Sequence, residues 1–428
     1  MIKLYEYQKP IVSKVVRHLR RVQRGLLVMA SGLGKTIVAA SILKAWSKGA
    51  QKRTLFLCHE NRILDQSRLE FGRVLDDSMT YATFHGDRKD KTDCDIVFAS
   101  FQTMLRHVHR FRPDEFDCLI VDESHHGKAP TYEQVISYFQ PKDFILGITA
   151  TPDREDEYDI REIFGSEIVN IPLEVGIAKE WLTPIEYRLI TDNIDAAKLQ
   201  QIVADMVQGR KRISIHDLNE SIFIEARDEE VAAEINRYNQ KGVIFCESIT
   251  HAEHFLQFLQ NARTYHSQKT KGENRATLEM LRSGDIQYIL VIDKFNEGID
   301  IPDVELIVFL RVTDSRRIFL QQLGRGLRKA PSKEKVTVLD FVGNCNRLQQ
   351  VKEMIDRIGR VGFMPNPPKT PMTVSGKGFE FSFQDELVEI LNLLGESFYE
   401  TWEEASAAAR RLGIRSSKKY PMVYKRDP

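Results

Sequence analysis

No apolar run in this chain approaches the ~18 residues that cross a bilayer, and the N-terminus has no signal-peptide core. Those absences argue against a helical membrane protein or a secreted one, and a cytoplasmic chain is expected. Cysteine is scarce: Cys58, Cys94, Cys118, Cys246 and Cys345 are scattered, with no C-x-x-C pair. A zinc ribbon or disulfide framework is thereby disfavoured. Several of these cysteines sit in apolar strand-like runs, as buried free thiols do in a reducing compartment. Net charge is also missing, because Lys+Arg and Asp+Glu balance at 61 each. Overall charge therefore offers no affinity for polyanions, and a nucleic-acid surface would have to be a local patch. At 428 residues the chain is too long for one ordinary core, so two or three domains are expected.

What the chain does contain is organised around Met29 to Thr36, MASGLGKT. An apolar run, Gly25 to Val28, precedes it as the end of a buried strand, and Ile37 to Trp46 follows with helical spacing. A strand, a glycine-bearing turn and a helix start make an anion site, because turn N–H groups and the helix dipole converge on one spot. Ser31, Gly32, Leu33 and Gly34 line that turn, and its glycines let the backbone approach phosphate oxygens closely. Lys35 can reach the β- and γ-phosphates of a nucleotide, and the Thr36 hydroxyl can hold Mg²⁺. The strict P-loop pattern begins with Gly, where this chain has Met29.

Upstream, Leu4 to Val12 (LYEYQKPIV) leads into a basic helical stretch whose Lys14, Arg17, Arg20, Arg21 and Arg24 read as a solvated face. Gln8 carries a side-chain amide that can pair with the donor and acceptor edges of adenine. Downstream, Arg53 to His59, Asp95 to Ala99, Asp117 to Val121 and Phe144 to Arg154 read as strands, with a helix from about Glu60 and a turn at Phe84 to Asp87. Ser100, Gln102 and Thr103 follow one strand as small polar groups suited to phosphate contacts. Short apolar strands alternating with helices predict a parallel α/β sheet with its functional groups at the strands' carboxyl ends. The strand before Asp122 delivers DESHH, Asp122 to His126. Asp122 is placed to hold Mg²⁺, and Glu123 to orient and deprotonate an attacking water. Adjacent histidines on a loop seldom chelate one ion, so His125 is read as coupling the site to Thr149 and Thr151.

The second half repeats the pattern without a P-loop. Gly242 to Cys246, Tyr288 to Ile292, Val304 to Leu310 and Val336 to Asp340 read as strands, with IEYRLI before them and a helix from about Thr250 to Asn261. In QQLGRGLR, Gln321 to Arg328, the arginines Arg325 and Arg328 stand three apart, the spacing of one helix face.

These segments resemble, in order, the motifs of the superfamily 2 helicases and translocases over roughly residues 1 to 345. Gln8 matches the adenine-reading glutamine and MASGLGKT motif I. HENRILDQS, ASFQTM, DESH and TAT are similar to motifs Ia, Ib, II and III, while IFCES, NEGIDIP and QQLGRGLR are similar to motifs IV, V and VI. The wording VDESHH, GITATPDR and QQLGRGLRKAP most resembles the branch holding excision-repair helicases and restriction-enzyme motor subunits. Ser124 replaces the commoner Ala of motif II, a swap of small residues. The resemblance implies two tandem RecA-like domains, parallel sheets flanked by helices, at 1–183 and 184–362. It implies ATP and Mg²⁺ as cofactors. Gly298 and Asp300 of motif V would touch the nucleotide, with Gln321, Arg325 and Arg328 acting on it from the opposite domain. Nucleic-acid contacts would come from Arg62, Gln66, Ser100 and Thr103. The function implied is an ATP-dependent DNA helicase or translocase of repair, recombination or phage defence. A nucleic-acid-dependent ATPase switch that separates no strands, or an RNA helicase, is the alternative. DNA is the expected partner, RNA the second choice, and no membrane is involved.

Residues 363–378 are rich in Pro and Gly and read as a linker to a small, mainly helical unit at 379–428. Phe379 to Phe383 alternates like a short strand, and the abrupt stop at Pro428 reads as a truncation. Only a few residues precede Gln8, so a nuclease, if there is one, is expected on another chain. From Arg410 onward seven cations, interleaved with Tyr420 and Tyr424, face Asp427 alone. That patch is read as an auxiliary nucleic-acid contact, or else as a packing or protein-partner surface.

Overall fold

The computed structural model describes residues 3–48, 50, 52–75, 79–86, 88–90, 93–124, 130–150, 159–190, 228–292, 303–310, 316–331, 333–341, 345–361, 373–376 and 378–383. They divide into two compact units. The first runs to Leu182 and includes Arg317–Pro331; the second takes Thr183–Ile292, Asp303–Arg316 and the residues after Pro331.

The first unit is built on an eight-stranded sheet: β1 Arg24–Met29, β2 Thr54–Cys58, β3 Tyr81–His85, β4 Arg88–Lys89, β5 Ile96–Ser100, β6 Cys118–Val121, β7 Phe144–Thr149 and β8 Glu167–Ile171. Its order is β4-β3-β5-β2-β6-β7-β1-β8, and every pair except β3 with β4 is parallel. Strands β2, β5, β6 and β7 are buried at every position, which a parallel sheet covered on both faces requires. Helix α1, Gln8–Val22, buries Ile11, Val12, Val15, Val16 and Leu19, while Lys14, Arg17, Arg20 and Arg21 face solvent. The basic face expected from sequence is therefore the outer face of a covering helix. Helices α2, Lys35–Ser47, and α3, Asn61–Val74, follow β1 and β2. The turn expected at 84–87 is shorter than its sequence suggests. Phe84 pairs with Ala99 inside the sheet and is fully buried, which confines the reversal to Gly86 at φ +54°.

The second unit repeats the plan with β9 Ile185–Ile190, β10 Gly242–Phe245, β11 Ala262–Tyr265, β12 Tyr288–Val291, β13 Leu306–Phe309, β14 Val336–Phe341, β15 Thr373–Gly376 and β16 Phe379–Phe383. The order is β11-β12-β10-β13-β14-β9-β16-β15, parallel except for the β15–β16 pair. Here the sequence reading needs correction. Strand β16 pairs with β9 from Phe379 beside Ile185 to Phe383 beside Leu189, so the end of the expected linker and the start of the expected accessory unit belong to the second sheet. The cause is the alternation of Phe379, Phe381 and Phe383, all buried, with Phe381 stacked on Tyr187 at 5.2 Å. Residues 384–428, with the basic tail, lie outside the described residues.

Two parallel α/β sheets thus carry the chain. Among the described residues no helix is long and apolar enough to cross a membrane. Cys58, Cys118 and Cys246 are buried free thiols and Cys94 is half-buried.

Candidate functional site

Strand β1 lies between β7 and β8, and β6 lies on the other side of β7, so the chain's two expected phosphate-handling segments leave the same edge of one sheet. The loop after β1 begins at Ala30, whose N–H donates to Ile171 O at 2.9 Å, and ends where α2 starts at Lys35. Gly32 and Gly34 both take left-handed conformations, at φ +87° and +77°. Their reasons differ. A Cβ on Gly32 would meet Gly324 O at 2.6 Å and Leu182 Cδ2 at 3.0 Å, whereas one on Gly34 would meet only the Gln8 amide nitrogen, at 2.7 Å.

Gln8 is buried, donates from Nε2 to Leu33 O at 3.0 Å and accepts the Tyr5 N–H at 3.0 Å. The amide expected to read adenine also braces the phosphate loop from behind. Tyr7 adds a second brace, its hydroxyl donating to the same Leu33 carbonyl at 3.0 Å. The Tyr7 ring stacks on Trp181 at 4.4 Å, and burial pushes its hydroxyl pKa up to about 12. Neither Tyr7 nor Trp181 was marked by sequence reasoning; the adjacency of Tyr7 to Gln8 was the available signal.

Asp122 follows β6 directly, its N–H donating to Leu57 O at 2.8 Å and extending the sheet ladder. Its carboxylate is buried, and burial together with the neighbouring Glu123 pushes its pKa up to about 7, against the opposing pull of Lys35. Glu123 donates its N–H to Asp122 Oδ1 at 2.9 Å and takes a left-handed backbone, φ +49°. For a glutamate that conformation costs about 1–3 kcal/mol, the kind of strain held at functional turns. Ser124 is fully buried, and its hydroxyl finds no hydrogen-bond partner among the described residues. Two adjacent buried acids, a lysine acting on one of them and a loop with left-handed glycines fit a magnesium-bound polyphosphate. Asp122 and Thr36 are the residues that would hold the ion.

Segment Arg317–Pro331 belongs to the same unit as this loop. Helix α11, Arg316–Gly326, brings Gly324 against Ser31, where an added Cβ would lie 3.0 Å from both Ser31 Cβ and Ser31 O. Gly324 and Gly32 thus let two backbones touch. Gln321 is buried, with Nε2 unpartnered among the described residues. The shared helix face expected for Arg325 and Arg328 is not formed, because α11 ends at Gly326 and Arg328 lies beyond it. A helix-weakening glycine followed by Pro331 accounts for the early stop. Arg328 instead places Nη2 3.8 Å from Glu70 Oε1 on α3.

Other expected residues fall as follows. Gln66 donates Nε2 to Glu70 Oε1 at 2.9 Å, and Arg62 is exposed on the first turn of α3. Ser100 caps the helix Phe101–His107, accepting the Thr103 N–H at 3.3 Å and donating to Thr103 Oγ1 at 2.9 Å. Both side chains are buried, so a local capping role already accounts for them. Thr149, at the end of β7, is buried beside this edge. His125, Thr151, Gly298 and Asp300 lie outside the described residues. Glu70 was missed, though its place four residues after Gln66 on a helix was readable.

Family comparisons agree with this arrangement. Residues 1–154 match the family model "Type III restriction enzyme, res subunit", and residues 226–330 match "Helicase conserved C-terminal domain". The chain is 21% identical to a Saccharomyces cerevisiae protein named as ATP-dependent helicase IRC3, over 79% of the chain and 51% of that protein. It is 27% identical to the type I restriction enzyme EcoAI endonuclease subunit of Escherichia coli, over 78% of the chain and 45% of that subunit. With the DNA 3'-5' translocase XPB2 of Sulfurisphaera tokodaii it shares 24% identity over 77% of the chain and 79% of the relative. The chain thus spans about half the length of the first two of these proteins. Its fold is shared with the type ISP restriction-modification enzyme LlaBIII, solved bound to DNA, at TM-score 0.61 and 17% identity, over 92% of this chain and 33% of that one. With two helicase-type sheets, a phosphate loop and a DESH edge on the first, and both family models matched in order, the chain belongs to the superfamily 2 helicases and translocases, among the restriction-motor and excision-repair branches.

Proposed function

We propose that this chain hydrolyses ATP and uses the cycle to move along DNA. The observation that carries the reading is the joint placement of Lys35, buried Asp122 and Glu123, and the Gly32 loop on one sheet edge, with Arg317–Pro331 in the same unit. Lys35 and the loop N–H groups would hold the triphosphate. Mg²⁺ bound through Thr36 and Asp122 would neutralise charge on the β- and γ-phosphates. Glu123 would accept a proton from the attacking water, and Arg325 and Arg328 would stabilise charge that develops on the transferred phosphoryl group. Repeated capture and release of the arginine-bearing segment by the γ-phosphate would supply the mechanical step.

DNA is favoured over RNA because one relative is named a DNA 3'-5' translocase and another a restriction endonuclease subunit. Arg62 and Gln66 on α3 are the proposed phosphate and sugar contacts, with Ser100 and Thr103 contributing mainly through the helix start that they cap. Glu123→Gln and Lys35→Ala together test the assignment. Glu123→Gln is expected to keep nucleotide and DNA affinity while turnover nearly vanishes, and Lys35→Ala to lose nucleotide affinity itself. Turnover near the wild-type rate in Glu123→Gln would remove Glu123 from the chemistry.

A further inference from the structure

Glu70 is a buried carboxylate on α3 to which the proposed phosphate chemistry gives no task. It is held and oriented. Gln66, one helical turn earlier, donates Nε2 to Oε1 at 2.9 Å, and the Arg328 guanidinium stands 3.8 Å from that same oxygen. Glu70 also joins Glu123 in acting on Asp122, which puts it in the electrostatic neighbourhood of the metal-binding edge.

The ion pair is close enough to be attractive and too long for a hydrogen bond, so it holds Arg328 without locking it. Its side chains are 29% and 10% exposed, which leaves it only partly screened. A triphosphate carries more charge than one carboxylate and offers a guanidinium shorter, charge-assisted hydrogen bonds.

From this geometry we propose that Glu70 is a positioning residue: it restrains Arg328 while the nucleotide is absent, and Gln66 sets the carboxylate for that task. The proposal rests on the ATP site proposed above and adds a regulatory contact to it. ATP must draw Arg328 away from Glu70, which lowers apparent affinity by the fraction of molecules in which the arginine is held. Gln66 is also a proposed nucleic-acid contact. Nucleic acid that engages the Gln66 amide would loosen Glu70 and release Arg328, linking occupancy of the DNA surface to the rate of hydrolysis.

The test is a double-mutant cycle on the full chain with a fluorescent N-methylanthraniloyl ATP and Mg²⁺ as the probe, read as equilibrium affinity. Glu70→Gln keeps the side-chain volume and an oxygen for Gln66 to bond, and removes only the charge. In the wild-type background it is expected to tighten ATP binding by about fivefold. In an Arg328→Ala background the same change is expected to do nothing. Turnover without nucleic acid should rise in Glu70→Gln and the stimulation by single-stranded DNA should shrink, a shift that loss of packing would not produce. An unchanged affinity in Glu70→Gln, or an equal tightening with and without Arg328, would overturn the restraint. A wild-type chain that binds no nucleotide would remove the ATP reading and this inference with it, a result distinct from either of those.

Discussion

At the scale of single residues, the phosphate loop depends on two glycines that fail in different ways when replaced. Gly32 has a backbone carbonyl 2.6 Å from where a Cβ would stand, and Gly34 has only the movable end of Gln8. Gly32→Ala is therefore expected to push α11 off the loop and to lower both thermal stability and nucleotide affinity. Gly34→Ala should displace the Gln8 amide and weaken nucleotide affinity with a smaller loss of stability. Equal losses in the two variants, measured by thermal unfolding and ATP titration, would contradict the contact assignment. The need for glycine was legible in MASGLGKT; the reason at Gly32 was not, since Gly324 lies almost three hundred residues away in sequence. The pairs Asp122–Glu123 and Arg325–Arg328 were likewise readable as residue types at fixed spacing. The Glu70 contact was not, because its meaning depends on where Arg328 ends up.

Among the elements, apolar pattern identified most strands. Strand β3 hides behind a glycine two residues past Phe84, and β15 hides behind prolines that resemble a linker, whereas β16 was readable from its alternating phenylalanines. Helix α11 was read two residues too long because i, i+3 spacing says nothing of where a helix stops. Strand β16 is an integral part of the second sheet, and its central Phe381 is fully buried against Tyr187. Tyr187 in turn donates its hydroxyl to buried Asp340, which faces the equally buried Arg347 at 3.5 Å. Phe381→Ala is expected to cost about 3–5 kcal/mol of stability in the second unit. Asp340→Asn removes the carboxylate charge that faces the buried Arg347 and should cost a similar amount, about 3–5 kcal/mol. Urea unfolding followed by circular dichroism checks both; losses under about 1 kcal/mol would return β16 to an accessory unit outside the second sheet.

For the whole molecule, the proposed chemistry lies on one edge of the first sheet, where the loop after β1 and Asp122–Glu123 after β6 both emerge. The segment carrying Arg325 and Arg328 joins the first unit although it follows β13 of the second sheet in the chain, so the proposed site draws on residues far apart in sequence. Arg325→Ala and Arg328→Ala should each lower nucleic-acid-stimulated turnover by about 10³ or more while the fold, read by circular dichroism, stays intact. Wild-type turnover in either variant would detach that arginine from the chemistry. The central claim, that ATP hydrolysis here serves movement on DNA, is tested most directly by steady-state ATP turnover of the full chain. Single-stranded DNA, duplex DNA, forked DNA and RNA are compared side by side, with Glu123→Gln as the blank. The account predicts strong stimulation by at least one form of DNA, weaker stimulation by RNA, and none in the variant. Turnover that is the same with every nucleic acid and without any would contradict it.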